Sequence, residues 1–170
     1  PIIVAVNGPA IGAPVTSATL CDAIVASESA TFLTPFARLG IPPEGCSSVM
    51  FGALMGEAGA QRMLGPEGWR PTAAEALEVG FVDEVVPAAE LMSRATALAR
   101  ERIEGGRTVR GGFSRDELKA VNARESIDLA SAFLSPPFLK GQMKFLWSKK
   151  KRQPAALFAA LWATSPAWRL

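Results

Sequence analysis

The fold class predicted here is α/β: a covered sheet, followed by a nearly all-helical C-terminal part. Three observations lead there. Short β-branched apolar runs alternate with helical segments over the first ninety residues, two capping signals of the form Thr/Ser-x-x-Glu open helices, and strand-like runs stop after residue 86.

Taken in order, Ile2 to Val6 is a continuous apolar run that reads as a buried strand, broken by Asn7-Gly8-Pro9. Val15 to Cys21 suits a short buried helix. Asp22 then opens a second β-branched run, AIVA, and Ala30 to Leu33 reads as a third strand. Gly45 to Leu54 and Glu57 to Leu64 read as two short helices separated by Gly56. Thr72 with Glu75 forms a capping box, and Gly80 is placed to close that helix before a strand from Phe81 to Val86. Pro87 then suits the first turn of a helix running to about Glu104.

Gly105-Gly106 and Gly111-Gly112 bracket a basic link, after which Ser114 and Glu117 form a second capping box. The helix behind it carries Leu118, Val121, Leu129 and Phe133 on one apolar face and ends before Pro136-Pro137. Two further helices are expected, Phe138 to Lys151 and Pro154 to Ala163. The tail ALFAALWATSPAWRL holds more Leu, Phe and Trp than a lone helix can bury, so it is expected to pack against another part of the molecule or another subunit.

Composition narrows the chemistry. The 170 residues are 49% hydrophobic, enough for one core. No run reaches the roughly 18 apolar residues that a membrane span needs, so a soluble domain and no membrane partner are expected. Cys21 and Cys46 sit in no metal-spaced or disulfide pattern, which fits a reducing compartment. Histidine is absent, which removes His-based nucleophile systems and the commonest transition-metal ligand. Acid–base work falls to carboxylates, lysine or cysteine. Residues 1–93 carry 3 basic and 10 acidic groups, net −7, while residues 94–170 carry 15 and 6, net +9. The run KKKR at 149–152 beside Phe145 and Trp147 could face an anion, but no nucleic-acid motif accompanies it, and a solvated helix end is the expectation.

One stretch stands out, LGIPPEGCSS at residues 39–48, where Glu44 lies between two prolines and a glycine just ahead of a helix. The loop NGPAIGAP at 7–14 follows the first strand and precedes a helix, an arrangement that lets a substrate oxygen approach backbone N–H groups. It is neither GxGxxG nor a Walker loop. In order and spacing, NGPAIG, Asp22, ATFLTPFARLGIPPEGCSS and the Thr-capped helix closed by GFVDEVVP resemble the crotonase, or enoyl-CoA hydratase/isomerase, superfamily over roughly residues 1–152. The pattern is most similar to the peroxisomal-type Δ3,Δ2-enoyl-CoA isomerase branch, to whose C-terminal helix LKAVNARES at 118–126 is also similar.

That resemblance implies a ββα spiral core. Residues 1–104 would form the C-terminal portion of the spiral, and residues 105–170 a helical trimerisation or lid region. It implies Glu44 as the catalytic base and acid, an oxyanion donor at the Ala13 amide beside Gly12, and a substrate pocket including Phe36, Leu39 and Ile41. The positions of the two hydratase glutamates hold Thr16 and Phe36, which disfavours hydration. No metal or redox cofactor is implied, and the resemblance implies a coenzyme A thioester as the substrate. Pro14 stands where many relatives have glycine or serine and leaves the direction of the Ala13 amide open. The strand at the very start, PIIVAVNG, leads us to expect further domain sequence upstream, including the second oxyanion donor and much of the CoA contact surface.

Two readings follow. The first is a Δ3,Δ2-enoyl-CoA isomerase of fatty-acid β-oxidation. The second is a non-catalytic acyl-CoA-binding or assembly module like that of chromodomain Y-like proteins, which share NGPAIG and CSS but tend to carry aspartate at the Glu44 position. Family resemblance also implies a homotrimer or hexamer. A bacterial cytoplasm is the expected compartment, with the peroxisome as the alternative because WRL is partly similar to a peroxisomal tripeptide.

Overall fold

The computed structural model describes residues 1–105 and 110–168, so Gly106 of the basic link and the last two residues of the WRL ending lie outside the described residues. The first strand, β1 (Ile3–Val6), passes through Asn7-Gly8 into β2 (Pro9–Ile11), and helix α1 (Ala13–Ala18) follows. The pattern then repeats with β3 (Ala23–Ser27) and β4 (Thr31–Leu33). The strands pair in parallel: β1 lies on β3 with Ile3 opposite Ala23, and β2 lies on β4 with Pro9 opposite Thr31. Each ββα unit therefore contributes one strand to each of two sheets, which is the spiral that the resemblance implied. Strand β5 (Glu84–Val86) completes the first sheet in the order β1-β3-β5.

Within the NGPAIGAP loop the structure corrects the turn expected from sequence, since Pro9–Ile11 is a strand. Three residues headed by proline carry no detectable period. Proline is tolerated at the first position of a strand, where its missing N–H is least needed, and only pairing with β4 makes this segment extended. The expected strand from Phe81 is also shorter. Phe81 and Val82 are buried behind helix α4 (Ala73–Glu78), where Phe81 meets Phe32 and Phe51 edge-on at centroid distances of 5.2 and 5.4 Å.

The first sheet is covered on both faces, which explains why β3 is apolar without alternation. Ile24 and Ala26 face the main core with Phe32, Phe51, Met63 and Phe81. Ala23 and Val25 face Leu91, Ala95 and Leu98 of α5 (Leu91–Gly105). Between β4 and α4 lie α2 (Phe36–Leu39) and α3 (Ser47–Leu64). The latter is two helical pieces joined at Gly56 (φ 73°, ψ 166°), as its glycine predicts.

Both capping boxes form: Thr72 and Ser114 each accept from the backbone N–H three residues on, and Glu75 and Glu117 reach back to the cap N–H groups. Helix α6 (Arg115–Phe133) follows Ser114 and packs Leu118 and Val121 against Cys46 and Met50 of the α3 region. The chain ends in α7 (Pro136–Ser148) and α8 (Arg152–Trp168), which pack on each other with Phe138 edge-on to Phe158. The basic run forms the exposed corner between them, with Lys150 in a left-handed conformation at φ 59°. Both cysteines are free. No helix among the described residues is long and apolar enough to cross a membrane.

Candidate active site

The corner that carries Glu44 is built by sharp backbone. Gly40 ends α2 in the left-handed region (φ 67°), Pro42 and Pro43 stiffen the approach, and Glu44 then heads a tight turn whose central residues are Gly45 and Cys46. Ser47 N–H donates to the Glu44 carbonyl at 3.2 Å, and both central residues have positive φ, 63° and 64°. That is the signature of a type I′ turn. Glycine adopts it freely, but a cysteine there carries strain on the order of 1–2 kcal/mol.

Gly45 is required for a second reason. A Cβ at this position would lie 2.8 Å from the Thr16 hydroxyl oxygen and 3.1 Å from its Cβ, so the turn sits directly on α1. Thr16 is 1% exposed and donates its hydroxyl hydrogen bond to Glu44 Oε1 at 2.8 Å. The same hydroxyl lies 3.1 Å from the Ala13 carbonyl. A hydroxyl has one proton, and the shorter contact to a charged oxygen is the stronger. Among the described residues no hydrogen bond is made to Glu44 Oε2. The half-buried carboxylate is thus anchored by one oxygen and free at the other.

Gly12 and Ala13 join this corner through Thr16, which stands one helical turn after Ala13. Gly12 has φ 75° and ψ −132°, a combination open to glycine, and its amide donates to the Leu33 carbonyl at 2.8 Å. Of the two residues expected at the oxyanion site, Gly12 therefore shapes the loop and holds it to β4, while its own N–H is occupied. Ala13 is the first residue of α1, where an amide has no intrahelical acceptor, and it is exposed.

The three apolar pocket residues are less tightly grouped. Phe36 is 3% exposed at the start of α2, and Ile41 is half-buried beyond Gly40. Leu39 lines a cavity of about 660 Å3 whose other wall is α7, with Pro137, Gly141 and Phe145, and which includes neither Glu44 nor Ile41. The structure brings Glu44, Thr16, Ala13 and Gly12 together; it places Leu39 on the α7 side.

A second carboxylate, not among the sequence-based candidates, lies behind the turn. Glu125 of α6 is 6% exposed. Its Oε2 accepts from Cys46 N–H at 2.6 Å, and its Oε1 accepts from Ser48 N–H at 3.0 Å and the Ser48 hydroxyl at 2.5 Å. Cys46 stands at the N-cap of α3 and supplies no side-chain cap of its own, so α6 supplies it. The signal was present in the sequence: Glu125 falls in the 118-121-125-129 stripe, a lone charge at a core-facing position. Burial first, and the Glu125 charge second, push the Cys46 thiol up, so it stays protonated and donates to the Leu118 carbonyl at 3.3 Å. That removes Cys46 as a nucleophile at neutral pH. Among the described residues no group of three or more Cys, Asp and Glu side chains is placed to hold a metal ion.

Known proteins resemble this chain in sequence and in fold. The sequence model of the enoyl-CoA hydratase/isomerase family matches residues 1–125. Human enoyl-CoA delta isomerase 2 is 40% identical over 158 residues, which cover 89% of this chain and 40% of that protein. The rat chromodomain Y-like protein is 38% identical over 156 residues, covering 88% of this chain and 26% of that one. The chain thus spans less than half the length of these relatives. Among solved structures, an enoyl-CoA hydratase/isomerase from Pseudoalteromonas atlantica superposes with a TM-score of 0.73 at 31% identity, over 87% of this chain and 62% of that chain. The family match runs from β1 through the Gly12 loop and the Glu44 turn to Glu125 itself, and with the ββα spiral it shows that the chain belongs to the enoyl-CoA hydratase/isomerase family.

Proposed function

We propose that this chain carries the proton-transfer site of a Δ3,Δ2-enoyl-CoA isomerase. The observation that carries the reading is the open oxygen of Glu44. Among the described residues this carboxylate is anchored through Oε1 by Thr16 and takes no hydrogen bond at Oε2, whereas Glu125 behind the turn is engaged at both oxygens. The positions of the hydratase glutamates are filled by that threonine and by buried Phe36. Hydration needs two groups to activate and deliver water. A 1,3-proton shift needs one base that reaches two carbons.

In this reading Oε2 of Glu44 takes a proton from C2 of a 3-enoyl thioester. The C2–H electron pair forms a C1–C2 double bond and pushes the carbonyl π pair onto the thioester oxygen, giving a dienolate conjugated with C3–C4 and stabilised by the Ala13 amide. The carboxylic acid then returns the same proton to C4. As C4 is protonated the oxygen pair returns to re-form the carbonyl, leaving a trans double bond between C2 and C3. A single backbone donor of this kind contributes on the order of 3 kcal/mol. The same reading places the substrate in fatty-acid β-oxidation and requires no resident cofactor. The isomerase named among the relatives supports it.

The test is Glu44→Gln in the full-length protein, assayed with a 3-enoyl-CoA thioester. We expect kcat to fall by about 10^2- to 10^4-fold; near-parental turnover ends this assignment. The second reading, a binding module without turnover, is favoured by the similarity to the chromodomain Y-like protein. It is recognised by tight CoA binding in calorimetry with no double-bond shift in the parent protein. Assembly as a trimer or hexamer belongs to the same proposal: Phe145, Trp147 and Leu157 are 52%, 62% and 60% exposed on α7 and α8. Light scattering that gives a monomer removes that part.

A further inference from the structure

We infer that Glu125 is a positioning residue for this reaction: its buried carboxylate, presented by α6, holds the left-handed corner that aims Glu44. The inference rests on the reading of Glu44 as the proton-transfer group and extends it to a residue 81 positions away in sequence.

Cys46 sits in a backbone conformation that a side chain disfavours, and such a conformation persists only where the surroundings over-determine it. Glu125 Oε2 receives the N–H of that very residue at 2.6 Å, and Oε1 receives the N–H and hydroxyl of Ser48. The carboxylate thus grips both sides of Ser47, whose N–H closes the Glu44 turn at 3.2 Å. On the opposite side, Gly45 rests on Thr16, which binds Glu44 Oε1. The turn is clamped between α1 and α6, and the one carboxylate oxygen left open is the one the proton shift uses. A side chain with no acceptor would leave the buried Cys46 N–H and the Ser48 N–H at the start of α3 without this partner, and the corner would relax toward a right-handed turn that points Glu44 elsewhere.

Glutamine at this position keeps the shape but turns one acceptor into a donor facing an N–H. In the full-length protein, Glu125→Gln is expected to lower kcat for a 3-enoyl-CoA thioester by about 10- to 100-fold, the effect of misplacing a reacting group by about 1 Å. KM should stay within about twofold, because the groups that bind substrate are untouched. Glu125→Asp, which keeps the charge and shortens the arm, should recover part of the loss. Hydrogen exchange at the Cys46 and Ser48 amides should accelerate in Glu125→Gln. In a Glu44→Gln background the same change should lower turnover no further.

A folded Glu125→Gln protein with parental kcat overturns the inference, as does a rise in KM with kcat unchanged. If Glu125→Gln fails to fold, Glu125→Asp and Ser48→Ala carry the test: parental kcat in both overturns it, and a fall in kcat at constant KM supports it. Glu44→Gln assayed alongside separates the two claims. An active Glu44→Gln defeats the isomerase reading itself, whereas an inactive Glu44→Gln with a fully active Glu125→Gln defeats only the role of Glu125.

Discussion

The Glu44 turn and the stretch of α6 that faces it each hold one glutamate, and the two are treated in opposite ways. Glu125 is 6% exposed, and its two oxygens receive three donors. Glu44 is half-buried, and among the described residues a single donor reaches one of its oxygens. A carboxylate with donors on both oxygens is held in one place, and one with a single donor leaves an oxygen open to a substrate. In the proposed reading, that difference is what separates a holding role from a reacting one, since the residue type is the same.

Exchanging either carboxylate for its amide is the most direct way to break this comparison. Glu44→Gln should have the larger effect on kcat and Glu125→Gln the smaller; equal losses would mean that both groups do the same job. A finer break is Thr16→Val, which keeps volume in a fully buried position but removes the hydroxyl. Hydrogen bonds to charged groups contribute about 1.5–3 kcal/mol. Turnover should therefore fall about tenfold, and parental turnover would show that Glu44 needs no anchor.

Gly45→Ala tests the same contact through stability. A left-handed alanine costs about 1–2 kcal/mol, and its Cβ would press on Thr16. Urea unfolding should show a loss of at least that size, and an unchanged midpoint would remove the close approach of the turn to α1.

Ser114→Ala is the mildest change, since it loosens the start of α6 eleven residues from Glu125. Loss of an N-cap costs about 1 kcal/mol in stability. The Ser114 hydroxyl, then its backbone N–H, hold the Glu117 carboxyl below its usual value of 4.5. A group with a depressed folded pKa contributes stability above its unfolded pKa that is lost as pH falls through the folded value. The stability difference between parent and Ser114→Ala should thus be present at neutral pH and shrink in acid, which unfolding at pH 7 and pH 3 would reveal. A difference independent of pH would show that Glu117 takes no part in the cap.

What could be read in the sequence was set by neighbours along the chain. The apolar run of β1, the caps at Thr72 and Ser114, the break at Gly56 and the proline-framed Glu44 all depend on residues within four positions of one another, so their patterns survive in a linear string. Short strands do not share that property. Pro9–Ile11 is extended because Thr31–Leu33 lies beside it, and Phe81 leaves its expected strand because Phe32 and Phe51 leave space for a third ring. The stiff corner, too, was visible only in part. That Gly45 touches Thr16, that the Gly12 amide is occupied by Leu33, and that Glu125 caps a helix beginning 78 positions earlier were decided by the packing of α1, β4 and α6 around α3. Hydrogen bonds and van der Waals contacts act over a few ångströms in space, and separation along the chain carries no record of which distant groups will meet.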